Sequence, residues 1–508
     1  MQKTIEMQTR TSSFKGRITK NYSEHNAQKY SEWVRAVNGT LGLLRSRPHD
    51  SSTYRVPTKL RATQPGVYTP QVVCIGPFHL TTPALRATEE LKWRYMLAYI
   101  DRVVETDTKN IRNNELGGVH DEKSAQISAL NKCCEVVSGL EQDARAWYAE
   151  DINLDKHQFV EMLLVDACFI LELFYRCNVM TIKKFKEHHI PSTHEDQVQF
   201  ESLAGNYTMV TSLTFDLMRL ENQIPYFILQ KLFDIMPSSK RLIFSGTQEL
   251  SLRQHILCFF HHIPILRINV FELDSNIQDA TYSHILDVLC KVCNLTSWAL
   301  PLHLTYGTWG FKRCSTELIK AGFQIARRQR SDSMSIVDIQ FDKGLILIPS
   351  IIIDKSTVSL LRNLIALEQT RSGGQIITSY VILMSTLIRT REDADIFERL
   401  GILQNPTKHP DLTGFFTSFC REVLSERFYF RDLCNEVENY EIPLWRWYRM
   451  KGYMSITWLR WKKSLKDLKR DYFGNTWSFI AFLTAFFVIL LTLLQTFYTV
   501  RAYYPPYH

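Results

Sequence analysis

Residues 477–500 read WSFIAFLTAFFVILLTLLQTFYTV, 24 positions without one charged side chain. As a helix rising about 1.5 Å per residue they extend about 36 Å, enough to cross a hydrocarbon layer about 30 Å thick with some tilt. Fourteen of them are Leu, Ile, Phe or Val, which contributes on the order of −6 kcal/mol towards insertion. Gln495 is the one strongly polar group, and the threonines can bond back to helix carbonyls. Trp477, Phe486, Leu490, Leu494 and Val500 mark the expected anchor from end to end. The competing assignment is a buried core helix, but core helices seldom run this long without a charge. The stretch therefore predicts a membrane-spanning helix.

The flanks predict its orientation. Residues 459–471, LRWKKSLKDLKRD, hold six basic side chains against two acidic ones, among them Lys462, Lys463, Lys466, Lys469 and Arg470. Past the span, Arg501 is the one basic residue. The positive-inside bias then leaves the N-terminal bulk in the cytosol. The opening MQKTIEMQTRTSSFKGR has no apolar run of the signal-peptide kind, so insertion is expected after the chain is released. Trp445, Trp447, Trp458 and Trp461 interleave with the basic stretch. That pattern suits a segment lying on an anionic leaflet, with the plasma membrane the expected location. A solvated basic linker beside core aromatics is the alternative.

Five regions follow: a polar segment at 1–50 with one candidate helix, an α-rich body at 51–440, a juxtamembrane segment at 441–476, the span at 477–500 and a tail at 501–508. Pro57, Pro65, Pro70 and Pro77 make 54–78 irregular or extended, packed down by its apolar residues. Helical spacing recurs at 89–105, 122–148, 251–266, 283–298, 356–369 and 379–390. Residues 155–177 are apolar nearly all round, the mark of a helix buried on most sides. Residues 213–233 repeat that theme, with Pro225 marking a kink or a new start. Alternation at 335–341, a turn at Asp342–Gly344 and the apolar run after it predict a small β-hairpin. The expected class is mainly α: a helical globular body, a small hairpin and one C-terminal transmembrane helix.

Chemistry is harder to find. A formal charge of +8 on 508 residues is mild and gives no argument for nucleic acid as a partner. Eleven dispersed cysteines do not form a secreted disulfide pattern. Cys290 and Cys293 form a CxxC, the best metal or redox candidate, but structural zinc needs four ligands. Two buried core cysteines have the same spacing. No nucleophile-elbow, P-loop, dinucleotide or zincin motif occurs, and no cofactor is expected. Asp166 with Glu172, and Asp216 with Glu221, lack helical i, i+4 spacing. Pairing with Arg219 or Arg362 explains these acids more cheaply than acid–base work. The polar trio in LeuGluAsnGlnIlePro (220–225) reads first as a structural network around Pro225. Sequons at Asn38, Asn206 and Asn294 matter only if the bulk is luminal.

Several blocks, in order, resemble the plant "domain of unknown function 247" family. They are YRVPTKLR (54–61), YTPQVVCIGPFH (68–79), FVEMLLVDACFILELF (159–174), LENQIP (220–225), STELIKAG (315–322), RNLIALEQ (362–369) and the terminal apolar helix. Leu80 and Thr81 stand where the family often continues with His and Gly. The resemblance implies a mostly α-helical plant protein with one C-terminal span. No catalytic residues come with it. Some grass members lie at self-incompatibility loci, so it implies a non-enzymatic recognition or signalling role, with a lipid bilayer and an unknown protein as partners. The alternative is an enzyme or metal/redox protein built on the Cys290/Cys293 region.

Overall fold

The computed structural model describes residues 29–39, 53–104, 118–187, 207–243, 249–266, 268, 281–293, 309–329, 335–371, 374–406, 408–409, 411–423, 427–441, 484, 487–496 and 499. Residues 29–39 form α1. The first half continues with α2 (Thr58–Thr63), α3 (Glu89–Val104), α4 (Gly118–Gly139), α5 (Glu141–Ala146), α6 (Lys156–Glu187), α7 (Tyr207–Leu217) and α8 (Tyr226–Ile235). Next come α9 (Leu252–Phe260), α10 (Ile285–Cys293), α11 (Ser315–Ala321), α12 (Lys355–Thr370), α13 (Ile376–Leu387), α14 (Arg391–Arg399), α15 (Leu412–Phe419) and α16 (Arg431–Asn439).

Helix α6 is the hub. Its 32 residues extend about 48 Å, and Phe159, Leu163, Ala167, Ile170 and Phe174 on it are fully buried. Its apolar circumference demands cover on every side, which α3, α4, α8 and α9 supply. A second group packs α12 against α13, and α13 against α15, while α7 touches α12. One continuous hydrophobic cluster runs through both groups.

Two small sheets complete the body. Strands β1 (Gln324–Arg327), β2 (Gln340–Asp342) and β3 (Leu345–Ile348) lie in the order β1-β3-β2. Strand β3 pairs antiparallel with β2 and parallel with β1, so Ile346 faces both Phe341 and Ile325. Lys343 and Gly344 turn the hairpin at φ 46° and 85°, the positive φ values that a two-residue hairpin loop of matching twist requires. Strand β4 (Ile351–Ile352) pairs parallel with β5 (Leu403–Gln404). Asp393 fastens α11 to α14: it closes the Thr390 capping box and accepts from Ser315 Oγ (2.8 Å) and Thr316 N (2.8 Å). Those bonds outweigh burial and bring its carboxyl down to about 2.

The helical body and the hairpin match expectation, with local corrections. The 54–78 segment is not wholly irregular: α2 and a 3-10 turn at Pro65–Val67 fall within it. The helix expected over 122–148 breaks at Leu140 between α4 and α5. The one expected over 213–233 is two helices, because residues 218–225 between α7 and α8 are not helical. Residues 335–339 lie outside β2. The juxtamembrane residues Lys462, Lys463, Lys466, Lys469 and Arg470 lie outside the described residues, as do Trp477, Phe486 and Val500. Of the expected span, residues 484, 487–496 and 499 are described, and they are helical. Among the described residues, no helix is long and apolar enough to cross a membrane.

Candidate functional site

The proline-rich strand of chain from Thr53 to His79 is a strap laid across the helical hub. Prolines deny it regular structure, so its backbone N–H groups need other acceptors. Thr53 begins it with a bridge to Tyr148, donating to Trp147 O at 3.1 Å and accepting from Ala149 N at 3.0 Å. Then side chains from distant helices take over. Val56 N donates to Glu221 Oε1 (2.7 Å). Gln71 N donates to Asp216 Oδ1 (2.9 Å), and Val72 N and Val73 N donate to Asp216 Oδ2 (2.7 and 2.9 Å). Ile75 N donates to Asn222 Oδ1 and Gly76 N to Asp166 Oδ2, both at 2.7 Å.

Cations close the same acids from the other side. Lys92 Nζ donates to Asp166 Oδ1 (2.7 Å) and to Cys74 O (3.0 Å). Arg219 Nε lies 3.1 Å from Asp216 Oδ1. Glu221 is paired with Arg61, and His79 Nε2 lies 3.1 Å from its other oxygen. Burial raises the Glu221 carboxyl, but His79, Arg61 and the Val56 N–H more than reverse this and hold it low. Burial pushes Asp216 and Asp166 up, against the pull of their cations and N–H donors.

The 220–225 motif is the meeting point. Asn222 Nδ2 donates to Val73 O and Asp216 O, both at 3.1 Å. Gln223 Nε2 caps the end of α7 at Leu217 O (2.8 Å) and Arg219 O (2.9 Å), and its Oε1 accepts from Leu286 N. Tyr148 Oη donates to Gln223 O at 3.2 Å. The polar trio thus replaces the hydrogen bonds that Pro225 and the helix break remove. Neither suspected carboxylate pair comes together. Asp166 belongs to Lys92, whereas Glu172 binds Arg102 Nη2 (2.9 Å) and Arg176 Nε (2.7 Å). These acids hold backbone and cations, and none offers a free oxygen pair for acid–base work.

Cys290 and Cys293 sit on α10, with Cys293 buried. Burial pushes both thiols up, Cys293 to about 12, so at neutral pH they are protonated and poor nucleophiles. Their charged neighbours are already engaged. Arg371 Nη1 donates to Asp287 Oδ1 (2.7 Å), and Arg371 Nη2 lies 3.2 Å from His284 Nε2. Glu368 accepts from Ile377 N and Thr378 N, both at 2.8 Å, at the start of α13, and full burial lifts its carboxyl to about 7. Among the described residues, no group of three or more His, Cys, Asp or Glu could share a metal ion.

A groove of about 900 Å³ opens between the strap, the end of α7, the first half of α12 and α15. Val67, Phe215, Val358, Phe415 and Phe419 give it apolar walls. Arg219 and Arg362 also line it, though they are only 3% and 8% exposed. Arg219 Nη1 donates to Gly66 O (3.0 Å). Arg362 Nη2 donates to Ser418 Oγ (3.2 Å), and its guanidinium lies 4.8 Å over the Phe419 ring. Of the two arginines expected to neutralise acids, Arg219 pairs with Asp216, and Arg362 has no carboxylate within ion-pair reach among the described residues. A sequence signal for this groove existed: Arg362 interrupts an apolar helix at Ser359-Leu-Leu-Arg-Asn-Leu-Ile.

The chain is similar to two proteins of Arabidopsis thaliana. UPF0481 protein At3g47200 is 24% identical over 475 residues, covering 89% of this chain and 86% of that protein. Putative UPF0481 protein At3g02645 is 22% identical over 530 residues, covering 88% and 89%. No solved structure matches the chain. A family model described as plant protein of unknown function, DUF247, spans residues 53–491, opening at the first residue of the strap, and the chain belongs to that family.

Proposed function

We propose that this chain is a membrane-tethered recognition or signalling protein of plants, not an enzyme, with its helical body on the cytosolic side of the plasma membrane. The observation that carries this reading is the helix at 487–496. Leu490, Leu491, Leu493 and Leu494 on it are between 42% and 63% exposed, and Phe487, Val488 and Ile489 are also uncovered. Thr492 and Thr496 donate back to Val488 O and Thr492 O, both at 2.7 Å, hiding their hydroxyls along the helix. An apolar surface that no other described residue covers is favourable against hydrocarbon and costly in water. The basic residues before it, Lys462 to Arg470, favour a cytosolic anionic leaflet. Recognition of the self-incompatibility type is the finer form of the proposal, drawn from the family resemblance.

Carbonate washing of vesicles from cells expressing the full chain tests the tether. The full chain should stay with the pellet, and a chain cut before Trp477 should move to the supernatant. Intact chain in the supernatant would overturn the reading. A glycosidase-sensitive mass at Asn38, Asn206 or Asn294 would reverse the orientation. Cross-linking in plant membranes should return a defined protein partner, and none across tissues would count against recognition.

A further inference from the structure

We infer that the groove between the strap, α12 and α15 binds a small organic carboxylate: one negative charge on an apolar body. Arg362 stands on the wall that α12 gives the groove. It is more than nine-tenths buried, and its Nε is buried with no hydrogen-bond partner among the described residues. Ser418 Oγ, the Phe419 ring and the Tyr68 phenol are its neighbours, and all of them are neutral. A buried guanidinium without a counterion is costly, and Arg362 opens onto a cavity large enough to admit one.

Charge selects the ligand. Arg219, the other deep cation of the groove, is already matched by Asp216. At the rim, Lys355 is outnumbered by Asp354 and Asp411, with Lys355 and Asp411 exposed and Asp354 half-buried. Those two acids are committed as helix caps, Asp354 to Thr357 N and Asp411 to Gly414 N, each at 2.7 Å. Helix ends therefore play no part in holding the anion. One uncompensated positive charge remains at depth, which suits a monoanionic carboxylate better than a dianionic phosphate. The planar guanidinium fork takes a carboxylate through two parallel hydrogen bonds. Phe215, Val358, Phe415 and Phe419 then cover an apolar body, as in most small-molecule pockets. This inference stands independently of the membrane tether.

The test uses the full-length chain, carried in zwitterionic nanodiscs if it pellets with membranes, and calorimetric titration with 2-naphthoate. One site per chain is expected. 2-Naphthalenemethanol, which lacks the charge, should bind at least tenfold more weakly, and inorganic phosphate should not displace the naphthoate. Arg362→Gln should weaken naphthoate at least tenfold. Ser212→Phe puts a ring on the α7 wall of the groove while leaving both arginines unsubstituted and should abolish binding, so it decides the matter if Arg362→Gln does not fold. No saturable naphthoate binding, equal binding of the alcohol, displacement by phosphate, or undiminished binding in a folded variant would each overturn the inference.

Discussion

Asp216→Ala isolates the bond between strap and hub. The carboxylate holds three consecutive backbone N–H groups and faces Arg219. Gln71 is exposed and Val72 half-buried, so water can replace the carboxylate there at little cost. Val73 is fully buried, and its stranded N–H costs about 1–3 kcal/mol. Arg219 loses its partner while 3% exposed, and a buried charge so abandoned costs about 3–5 kcal/mol. Overlap and relaxation leave an expected loss on the order of 4 kcal/mol, a large share of a typical domain's stability. Asp216→Asn should cost nearly as much, since Arg219 still loses its counter-charge, yet one carbonyl in the Oδ2 position still serves both Val72 and Val73. Hydrogen exchange over 69–79, read by mass spectrometry beside a thermal melt, separates the two. The alanine variant should lose protection at Val72 and Val73, and the asparagine variant should keep it. Unchanged exchange in Asp216→Ala, with less than about 1 kcal/mol lost, would refute the clasp.

Gly76→Ala should be among the most damaging single-methyl changes. At φ 74° the added Cβ would stand 2.5 Å from Gln223 O. A loss on the order of 3 kcal/mol is expected from the collision and the left-handed backbone together. Gly139→Ala meets nothing within 4 Å and should melt within about 1 kcal/mol of the parent. Glu368 supplies a pH signature. Its carboxyl sits near 7 in the fold against an ordinary 4.5, so the folded chain holds the extra proton. Its contribution is complete below pH 4.5 and is lost as pH rises towards 7, on the order of 3 kcal/mol at about 1.36 per pH unit. Melting temperatures from pH 4.5 to 8 should fall less steeply in Glu368→Gln, and an unaltered slope would contradict the assignment.

The parts of this fold legible from sequence are those with local causes. The all-round apolar run at 155–177 identifies α6 because a helix of that composition has nowhere to sit but the core. Asp342–Gly344 betrays its hairpin because Gly344 tolerates the turn's positive φ. Strands β1, β4 and β5 leave no such trace. They are two to four residues long and pair in parallel, Ile351 with Leu403 some fifty positions on, so no turn motif joins them. The 220–225 motif was recognisable as a polar network around Pro225, but its customers were not: Val56 and Ile75 are 165 and 147 positions from their acceptors. The groove was legible only as one odd charge, Arg362, in an apolar helix. That no carboxylate among the described residues pairs with Arg362 is a three-dimensional fact.

The strap also sets a timetable for synthesis. Residues 53–79 leave the ribosome early, yet the oxygens that satisfy their amides belong to Asp166, Asp216, Glu221 and Asn222. At about 5–20 residues translated per second, the first-made segment must wait many seconds, its amides bound to water, until the polypeptide has grown past position 222. Nascent chains halted before that point should be readily cut within the strap, and those halted well beyond it should resist.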